Sequence, residues 1–442
     1  MIRCDSRKVK KGDIFIALRG INDDGHKYVM DAIKNGASKV IVEEGEYDTP
    51  YEVVSNTREY LNKYLYDNYY EKIKNLKLIG VTGTNGKTTT CYLIYQALNM
   101  LDIKCAYIGT LGFYNLEYNE KINNTTPDIL DLYEMLLYCS YNGYKYVAME
   151  VSSQGLYYNR LDNILFDYAV FTNLTQDHLD FHKNMDNYAN EKKKLFKKLK
   201  DNGISIINND DKYKDYFLDK DSITYGFNDS NYIISDYNSN IDNTSFKVNN
   251  ISYNTNLIGK HNVYNITILI IILDLLEVDD NKKVEIVSKL KHAIGRMDTI
   301  KYKDNLIIID YAHTPDAVEK IIKSVKGIGH NIITIIGCGG NRDKLKRPIM
   351  GCIASKYSDY VIFTSDNPRY EKPIDIINDI IHIIDSNNYE IEENREKAIK
   401  KCIQKLDKND ILLILGKGHE DYQIIDGRKY HFNDMEVVLK YI

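Results

Sequence analysis

Apolar residues in this chain fall mostly into short runs that end in glycine-rich or charged loops, and stretches of helical spacing separate those runs. The alternation predicts parallel sheets covered by helices, an α/β fold. In the first 70 residues, β-like runs at 14–18, 39–42 and 51–54 surround a helical stretch at 28–35. From Leu76 a larger α/β pattern follows, with later strands at 146–149, 168–171 and 204–207. The segment 228–256, rich in Asn, Asp, Ser and Tyr, reads as β-hairpins or an irregular excursion. After Gly295-Arg296 the pattern becomes regular, with apolar strands at 306–309, 332–336, 360–363 and 411–415 that each run into a polar loop. The pattern divides the chain into a small N-terminal α/β domain at 1–70, a central α/β domain at 71–293 and a C-terminal parallel-sheet domain at 294–442.

Residues 80–90 carry the most chemistry. The apolar run Leu76, Leu78, Ile79, Val81 stops at the turn Gly83-Thr84-Asn85-Gly86-Lys87-Thr88-Thr89, and a helical pattern starts behind it with Leu93, Ile94, Ala97 and Leu98. A strand, a glycine-rich turn and a helix N-terminus together make a phosphate cradle, because backbone N–H groups and the helix dipole converge on the anion. Lys87 then reaches distal phosphates and the Thr88 hydroxyl holds Mg²⁺. Val81 stands where the common form of this loop has a glycine, so the motif is a variant. The central domain is accordingly expected to be P-loop ATPase-like.

The bulk composition narrows the classes. At 442 residues the chain exceeds what one core holds, and 43% hydrophobic with 27% charged residues is ordinary for a globular protein. A net charge of −5 offers no basic field, which argues against nucleic acid as a partner. Seven cysteines without a C-x-x-C pair argue for reduced thiols in a cytoplasm. The longest apolar stretch, 266–276, is too short to span a bilayer and contains Asp274, so no membrane contact is expected. Arg3, Asp5, Arg7 and Lys8 interrupt any apolar run at the start, and no signal peptide is expected there.

Several polar constellations sit at predicted strand ends. Glu150, followed by Val-Ser-Ser, is a carboxylate beside the phosphate loop and suits nucleotide-bound Mg²⁺. His178 lies between Asp177 and Asp180, which suggests a second cation site or, alternatively, helix capping by Asp177. Tyr188, Lys192, Leu195, Phe196 and Leu199 share one face of a predicted helix. A lysine on that apolar stripe needs a partner, loses its charge or snorkels to solvent. Asn265, within His261-Asn-Val-Tyr-Asn265, either serves a nucleotide base or belongs to a helix cap. Arg296, Arg342, Lys344, Arg347 and Arg369 concentrate positive charge around the C-terminal loops. The loop Asp366-Asn367-Pro368-Arg369 reads as an amino-acid receptor, with Arg369 for a carboxylate and Asp366 or Glu420 for an ammonium. A structural turn with a surface ion pair is the other reading.

In order along the chain, Asp5-Ser-Arg7, the glycine loop, Thr125-Thr126-Pro127, Glu150-Val-Ser-Ser, the Asp177-His178 segment, His261-Asn-Val, Gly295-Arg-Met, Asp310-Tyr-Ala-His-Thr-Pro-Asp316 and Gly416-Lys-Gly-His-Glu420 resemble the Mur ligase family of ATP-dependent amide-forming enzymes. The resemblance covers nearly the whole chain. It implies a UDP-substrate domain, a central ATP-binding domain and a Rossmann-like C-terminal domain for the amino acid. The Asp366-to-Arg369 loop resembles the branch that adds meso-diaminopimelate to UDP-N-acetylmuramoyl-L-alanyl-D-glutamate. Relatives that add L-lysine or another amino acid, and folylpolyglutamate synthases, are the alternatives, and a nucleotide-binding regulator is a third.

Carried onto this chain, the resemblance implies that Ser6 contacts the uridine part and that Thr125, Thr126, Ser152 and Arg160 contact the sugar–peptide. Lys87, Thr88, Glu150 and His178 serve the phosphates and two Mg²⁺ ions, and Lys192 becomes a carbamate that ligates metal. Asn265, Arg296 and Asp310 hold the nucleotide, the last two after domain closure. Arg342, Asp366, Asn367, Pro368, Arg369, Gly416 and Glu420 bind diaminopimelate. A cytoplasmic monomer is expected. The chain departs from the family pattern in having Tyr158 and Asn341 where close relatives often have Gln and Asp, and in a short stretch before Asp5.

Overall fold

The computed structural model describes residues 1–20, 23–177, 179–293 and 295–442, and of Asp180 the backbone alone. Three sheets organise it, with a small antiparallel hairpin beside the third. The first sheet is four short parallel strands, Ile2–Arg3, Ile14–Ile16, Lys39–Val42 and Tyr51–Val53, in chain order. Its Ile2, Ile16 and Ile41 pack into the same apolar cluster as Leu61 and Leu65 of helix Thr57–Ile73 and Leu132 and Leu136 of helix Ile129–Tyr141.

The second sheet has eleven strands. Strand Lys77–Thr82 lies between Tyr146–Glu150 and Phe166–Phe171, all parallel. Its register pairs Val81 with Glu150 and Thr82 with Phe171, so three chemically loaded loops leave the sheet at one edge. Helices Lys87–Met100 and Lys260–Leu275 cover one face through Leu93, Ile94, Val263 and Ile266. The uncertain 228–256 segment forms strands Tyr232–Ser239, Thr244–Val248 and Ile251–Thr255, a meander that extends the main sheet. Tyr253 and Phe246 stack there and anchor it to the core.

The third sheet runs in the order Asp298–Tyr302, Asn305–Asp310, Ile411–Leu415, Ile332–Ile336, Tyr360–Phe363, Tyr389–Ile391, parallel except for the first strand. The four apolar strands expected there are present, and their four polar loops emerge together.

One helix differs from expectation. Met185–Lys193 ends two turns early, and Leu199 begins strand Leu199–Asn208 instead of continuing the apolar stripe. A short 3-10 turn at Phe196–Lys198 makes the change of direction, and the parallel pairing of Tyr168 with Ile204 claims this stretch for the sheet. Among the described residues, no helix is long and apolar enough to cross a membrane.

Candidate active site

The glycine loop turns where its backbone demands it. Gly83 has φ of +146°, and a Cβ there would lie 2.0 Å from Thr172 Oγ1. Gly86, at φ +88°, caps helix Lys87–Met100, and a Cβ would meet Asn265 Oδ1 at 2.7 Å. No side chain fits at either position, which leaves a bare backbone cradle. Asn265 is buried beneath the loop, where its Oδ1 accepts from Thr90 Oγ1 at 3.2 Å.

Two lysines converge on one carbonyl. Lys87 Nζ donates to Gly83 O and Thr84 O, both at 2.8 Å, and Lys192 Nζ donates to Gly83 O at 2.9 Å. Lys192 is fully buried, 4.5 Å from the centre of the Tyr188 ring. Burial holds the Lys192 amine well below the ordinary lysine range, the Lys87 charge lowers it further, and Asp177 opposes both. Burial also lowers Lys87, with Arg296 adding to the effect and Glu150 and Asp177 opposing it. The apolar stripe read from the sequence is real as far as Leu195, since Tyr188 and Leu195 are buried beside Lys192.

Beside the loop, Glu150 is buried and, among the described residues, its carboxylate accepts four hydrogen bonds. Thr88 Oγ1 donates at 3.0 Å, Tyr107 OH at 2.5 Å, Thr110 N at 2.8 Å and Thr110 Oγ1 at 3.2 Å. Thr110 Oγ1 is also 3.1 Å from Thr125 Oγ1. A continuous polar line therefore joins the phosphate loop to Thr125. Next to it, Thr126 Oγ1 donates to Glu150 O at 3.0 Å and accepts from Ser152 N at 2.9 Å, and Arg160 donates to Thr126 O at 3.0 Å. Burial lowers the Arg160 guanidinium and Asp128 opposes that shift. Ser6 stands apart in the first sheet's domain, buried in a 3-10 turn whose N-cap is Asp5.

Thr88 Oγ1 and Glu150 Oε2 are hard oxygen donors of the kind Mg²⁺ takes alongside phosphate oxygens and water, so the donor set fits that ion. Among the described residues, no group of three or more His, Cys, Asp and Glu is placed to hold a metal. The cation site expected at His178 lies outside the described residues.

The third sheet's loops reach this centre. Asp316 Oδ2 accepts from Asn85 Nδ2 at 3.2 Å, Thr175 Oγ1 at 3.1 Å and Lys320 Nζ at 2.8 Å, which docks the C-terminal domain on the glycine loop. Asp310 accepts from Met297 N at 2.8 Å and Ala312 N at 2.7 Å, so its carboxylate fixes the Gly295-to-Met297 turn. Burial raises the Asp310 carboxyl, opposed by Arg296. Arg296 lies over the Tyr311 ring, 5.0 Å from its centre.

On the far side of these loops, Asn367 Nδ2 donates to Asp366 Oδ1 at 3.2 Å and to Glu420 Oε2 at 2.8 Å. Arg369 sits at φ +57° and donates to Gly340 O at 2.8 Å. Arg342 is exposed, and its Cγ and the Arg369 guanidinium both border Gly339. Pro368 is buried, and Gly416 packs against Asp366. The expected residues thus come together here.

Arg347 does not belong with them. It is fully buried, binds Glu371 through two N–H groups at 2.9 Å each and Asp379 at 2.7 Å, and is consumed in holding the Gly339 loop. Its neighbour Lys344 also faces Glu371, at 3.5 Å.

Sequence reasoning gave no role to Tyr107, Thr110, Asp316 or Lys417. Asp316 and Lys417 lie within motifs that were visible. Tyr107 lies on strand Cys105–Gly109, whose mixed residues Cys, Ala, Tyr, Ile and Gly carry no alternation.

These three sheets and this site define a ligase of the Mur type, and the chain belongs to the Mur ligase family. Family profiles described as Mur ligase family, catalytic domain, as Mur ligase middle domain and as Mur ligase, glutamate ligase domain match residues 1–80, 81–273 and 295–418. The chain is 42% identical to UDP-N-acetylmuramoyl-L-alanyl-D-glutamate--2,6-diaminopimelate ligase of Fusobacterium nucleatum, covering 100% of this chain and 93% of that one. It is 41% identical to UDP-N-acetylmuramoyl-L-alanyl-D-glutamate--2,6-diaminopimelate ligase 2 of Clostridium acetobutylicum, over 99% and 94%. A solved structure of a UDP-N-acetylmuramoyl-L-alanyl-D-glutamate--2,6-diaminopimelate ligase superposes with a TM-score of 0.71 at 34% identity, covering 100% of this chain and 94% of that one.

Proposed function

We infer that this protein is an ATP-dependent ligase that joins an amine of meso-diaminopimelate to the free D-glutamyl carboxylate of UDP-N-acetylmuramoyl-L-alanyl-D-glutamate. The observation that carries the reading is the hydrogen-bonded line from Thr88 through Glu150 to Thr110 and Thr125, which couples a phosphate loop to a second polar loop. Relatives about 40% identical over the whole chain, with this activity in their names, support the choice of substrates.

A carboxylate is a poor electrophile and must be activated. Its oxygen attacks the γ-phosphorus of ATP, giving an acyl phosphate and ADP. The amine attacks the acyl carbon, a proton is lost from nitrogen, and phosphate leaves with the former carboxylate oxygen. The backbone of Gly83 to Gly86 and Lys87 bind the phosphates, and Thr89 lies in the same first turn. Asn265, Arg296 and Asp310 shape the nucleotide's surroundings. Thr125, Thr126, Ser152 and Arg160 orient the glutamyl end, Ser6 lies on the uridine side, and Arg342, Asp366, Asn367, Pro368, Arg369, Gly416 and Glu420 hold diaminopimelate. The docked Asp316 contact keeps water from the acyl phosphate and aligns the amine.

Two Mg²⁺ ions, when bound, supply charge neutralisation at the transferring phosphoryl group, with Thr88, Glu150 and a carbamate on Lys192 as protein ligands. Burial, which holds the Lys192 amine well below its ordinary range, favours its reaction with CO₂, since the product replaces a cation that burial disfavours. The three domains, 1–70, 71–293 and 294–442, divide the work into UDP-substrate, ATP and amino-acid binding, in a cytoplasmic monomer.

The test is phosphate release with the UDP-linked dipeptide, comparing meso-diaminopimelate with L-lysine, and mass spectrometry of the product. A UDP-tripeptide formed only with diaminopimelate supports the reading. Preference for lysine overturns the substrate, and absence of turnover with either overturns the activity.

A further inference from the structure

Lys417, inside the Gly416-to-Glu420 loop, is fully buried in the third domain's ligand crevice. Its Nζ donates to Tyr422 O at 2.5 Å and lies 3.3 Å from Glu420 Oε2 and 3.7 Å from Asp366 Oδ1. Asn367 Nδ2 bridges the same two oxygens. Among the described residues, every side-chain donor recorded on the two carboxylates goes to Asp366 Oδ1 or Glu420 Oε2. Asp366 Oδ2 and Glu420 Oε1 remain for a ligand.

Charge explains why a lysine belongs there. Two carboxylates sharing one small crevice repel, and one of them would take up a proton. Lys417 leaves the trio with a single excess negative charge, the complement of one ammonium. Among the described residues, the other titratable groups facing this crevice are Arg395 and Asp434 behind it, which pair with each other at 2.7 Å, with Tyr311, Tyr422 and His419 at its sides. Arg369 and Arg342 supply positive charge toward the Gly339 side. Negative and positive ends in one crevice match an amino-acid zwitterion.

We propose that Lys417 is a positioning residue that ties Asp366 and Glu420 into a single receptor for an ammonium of the incoming amino acid. The proposal rests on the amino-acid-ligase reading above. Burial and Glu420 raise the Asp366 carboxyl while Arg395 and Lys417 lower it, which agrees with this role.

The test compares the full chain with its Lys417→Met and Lys417→Arg variants from about pH 6 to about pH 9, reading KM for each substrate. Lys417→Met is expected to raise KM for diaminopimelate about thirtyfold, since it strips a buried charge of its partner. That KM then falls as pH rises, because a carboxyl must ionise without the ammonium beside it, while KM for ATP stays the same. Lys417→Arg keeps a profile as flat as the unaltered protein's. Lys417→Gln keeps a donor for Tyr422 O without the charge, and carries the same expectation if Lys417→Met does not fold. Unchanged KM in the neutral variants, or a pH-independent rise shared with Lys417→Arg, overturns the proposal. If the unaltered protein accepts L-lysine instead, the substrate reading fails, and the same comparison run with lysine still decides the role of Lys417.

Discussion

Replacing Lys192 by methionine separates a lysine that is neutral in the fold from one that keeps its charge. The side chain is 1% exposed, and among the described residues its Nζ makes one hydrogen bond, to Gly83 O. Losing that bond costs about 1 kcal/mol. The carbonyl is not orphaned, because Lys87 Nζ still donates to it at 2.8 Å. Against this loss stands the burial that holds the amine well below its ordinary value of 10.5. A base with a depressed folded value binds fewer protons in the folded than in the unfolded state, over the window from that folded value up to 10.5. Stability of the unaltered protein therefore rises with pH across that window, by up to about 1.4 kcal/mol per unit. Methionine has no such slope.

Between about pH 7 and about pH 9 the unaltered protein should accordingly gain up to about 2.7 kcal/mol over Lys192→Met. Near neutral pH the variant should be the more stable of the two, because the unaltered protein there still carries the linkage cost that disappears only as pH approaches 10.5, and the gap should narrow as pH rises. The assay is urea unfolding of both proteins across that range in buffers freed of CO₂, followed by turnover with bicarbonate restored. Lys192→Ala should lose at least about a hundredfold in turnover and recover part of it with short carboxylates, which occupy the vacated position as oxygen ligands. Parallel pH curves for the two proteins would mean that the ammonium stays charged in the fold through Asp177, and the carbamate reading would then fall.

Glu150→Gln keeps the size of the buried side chain but removes the charge beside Thr88, so kcat should drop at least about a hundredfold and the Mg²⁺ dependence should weaken, measured by phosphate release against metal concentration. Asp316→Ala removes the acceptor shared by Asn85 and Thr175. With those partners about 1 kcal/mol each, the docked arrangement should lose roughly five- to thirtyfold in population, visible as a larger radius of gyration by solution scattering. Arg347→Ala should destabilise the C-terminal domain by about 3 kcal/mol in chemical denaturation, because it empties a fully buried position and leaves half-buried Glu371 without its two-point partner. Arg369→Ala should leave stability within about 0.5 kcal/mol and act on KM for diaminopimelate instead.

The contrast between Arg347 and Arg369 shows where the sequence is legible and where it is not. Both are arginines near glycine-rich loops of one domain, and composition treats them alike. Packing in the third domain places one, on helix Lys346–Tyr357, in a cage of Glu371 and Asp379 and leaves the other beside Gly340 at a left-handed backbone position. Such a distinction depends on which helix packs under the loop, a tertiary fact that residue spacing does not carry. The glycine loop is the opposite case. Gly83 and Gly86 are required by contacts with Thr172 and Asn265, yet their spacing alone announces the turn, because the turn's geometry is local. The strands of the third sheet were equally plain, being buried on both faces and so nearly continuous in Ile, Leu and Val.

The same reasoning explains why the polar line through Glu150 was only half visible. Thr88 opens the helix that follows strand Lys77–Thr82, Glu150 ends that strand's parallel neighbour, and a strand end beside a phosphate loop is a readable position. Tyr107 and Thr110 complete the carboxylate's shell from strand Cys105–Gly109 and the turn after it, two elements without a periodic signature. A buried carboxylate with a single hydroxyl partner would be costly, so further donors are required, but residue spacing does not say which they are. The structure answers with two threonines and a tyrosine. Of these, Thr110 also touches Thr125, so one of the groups that satisfy Glu150 ties the phosphate loop to the substrate-side loop. Thr110 thus both helps to satisfy the buried acid and couples the two half-sites.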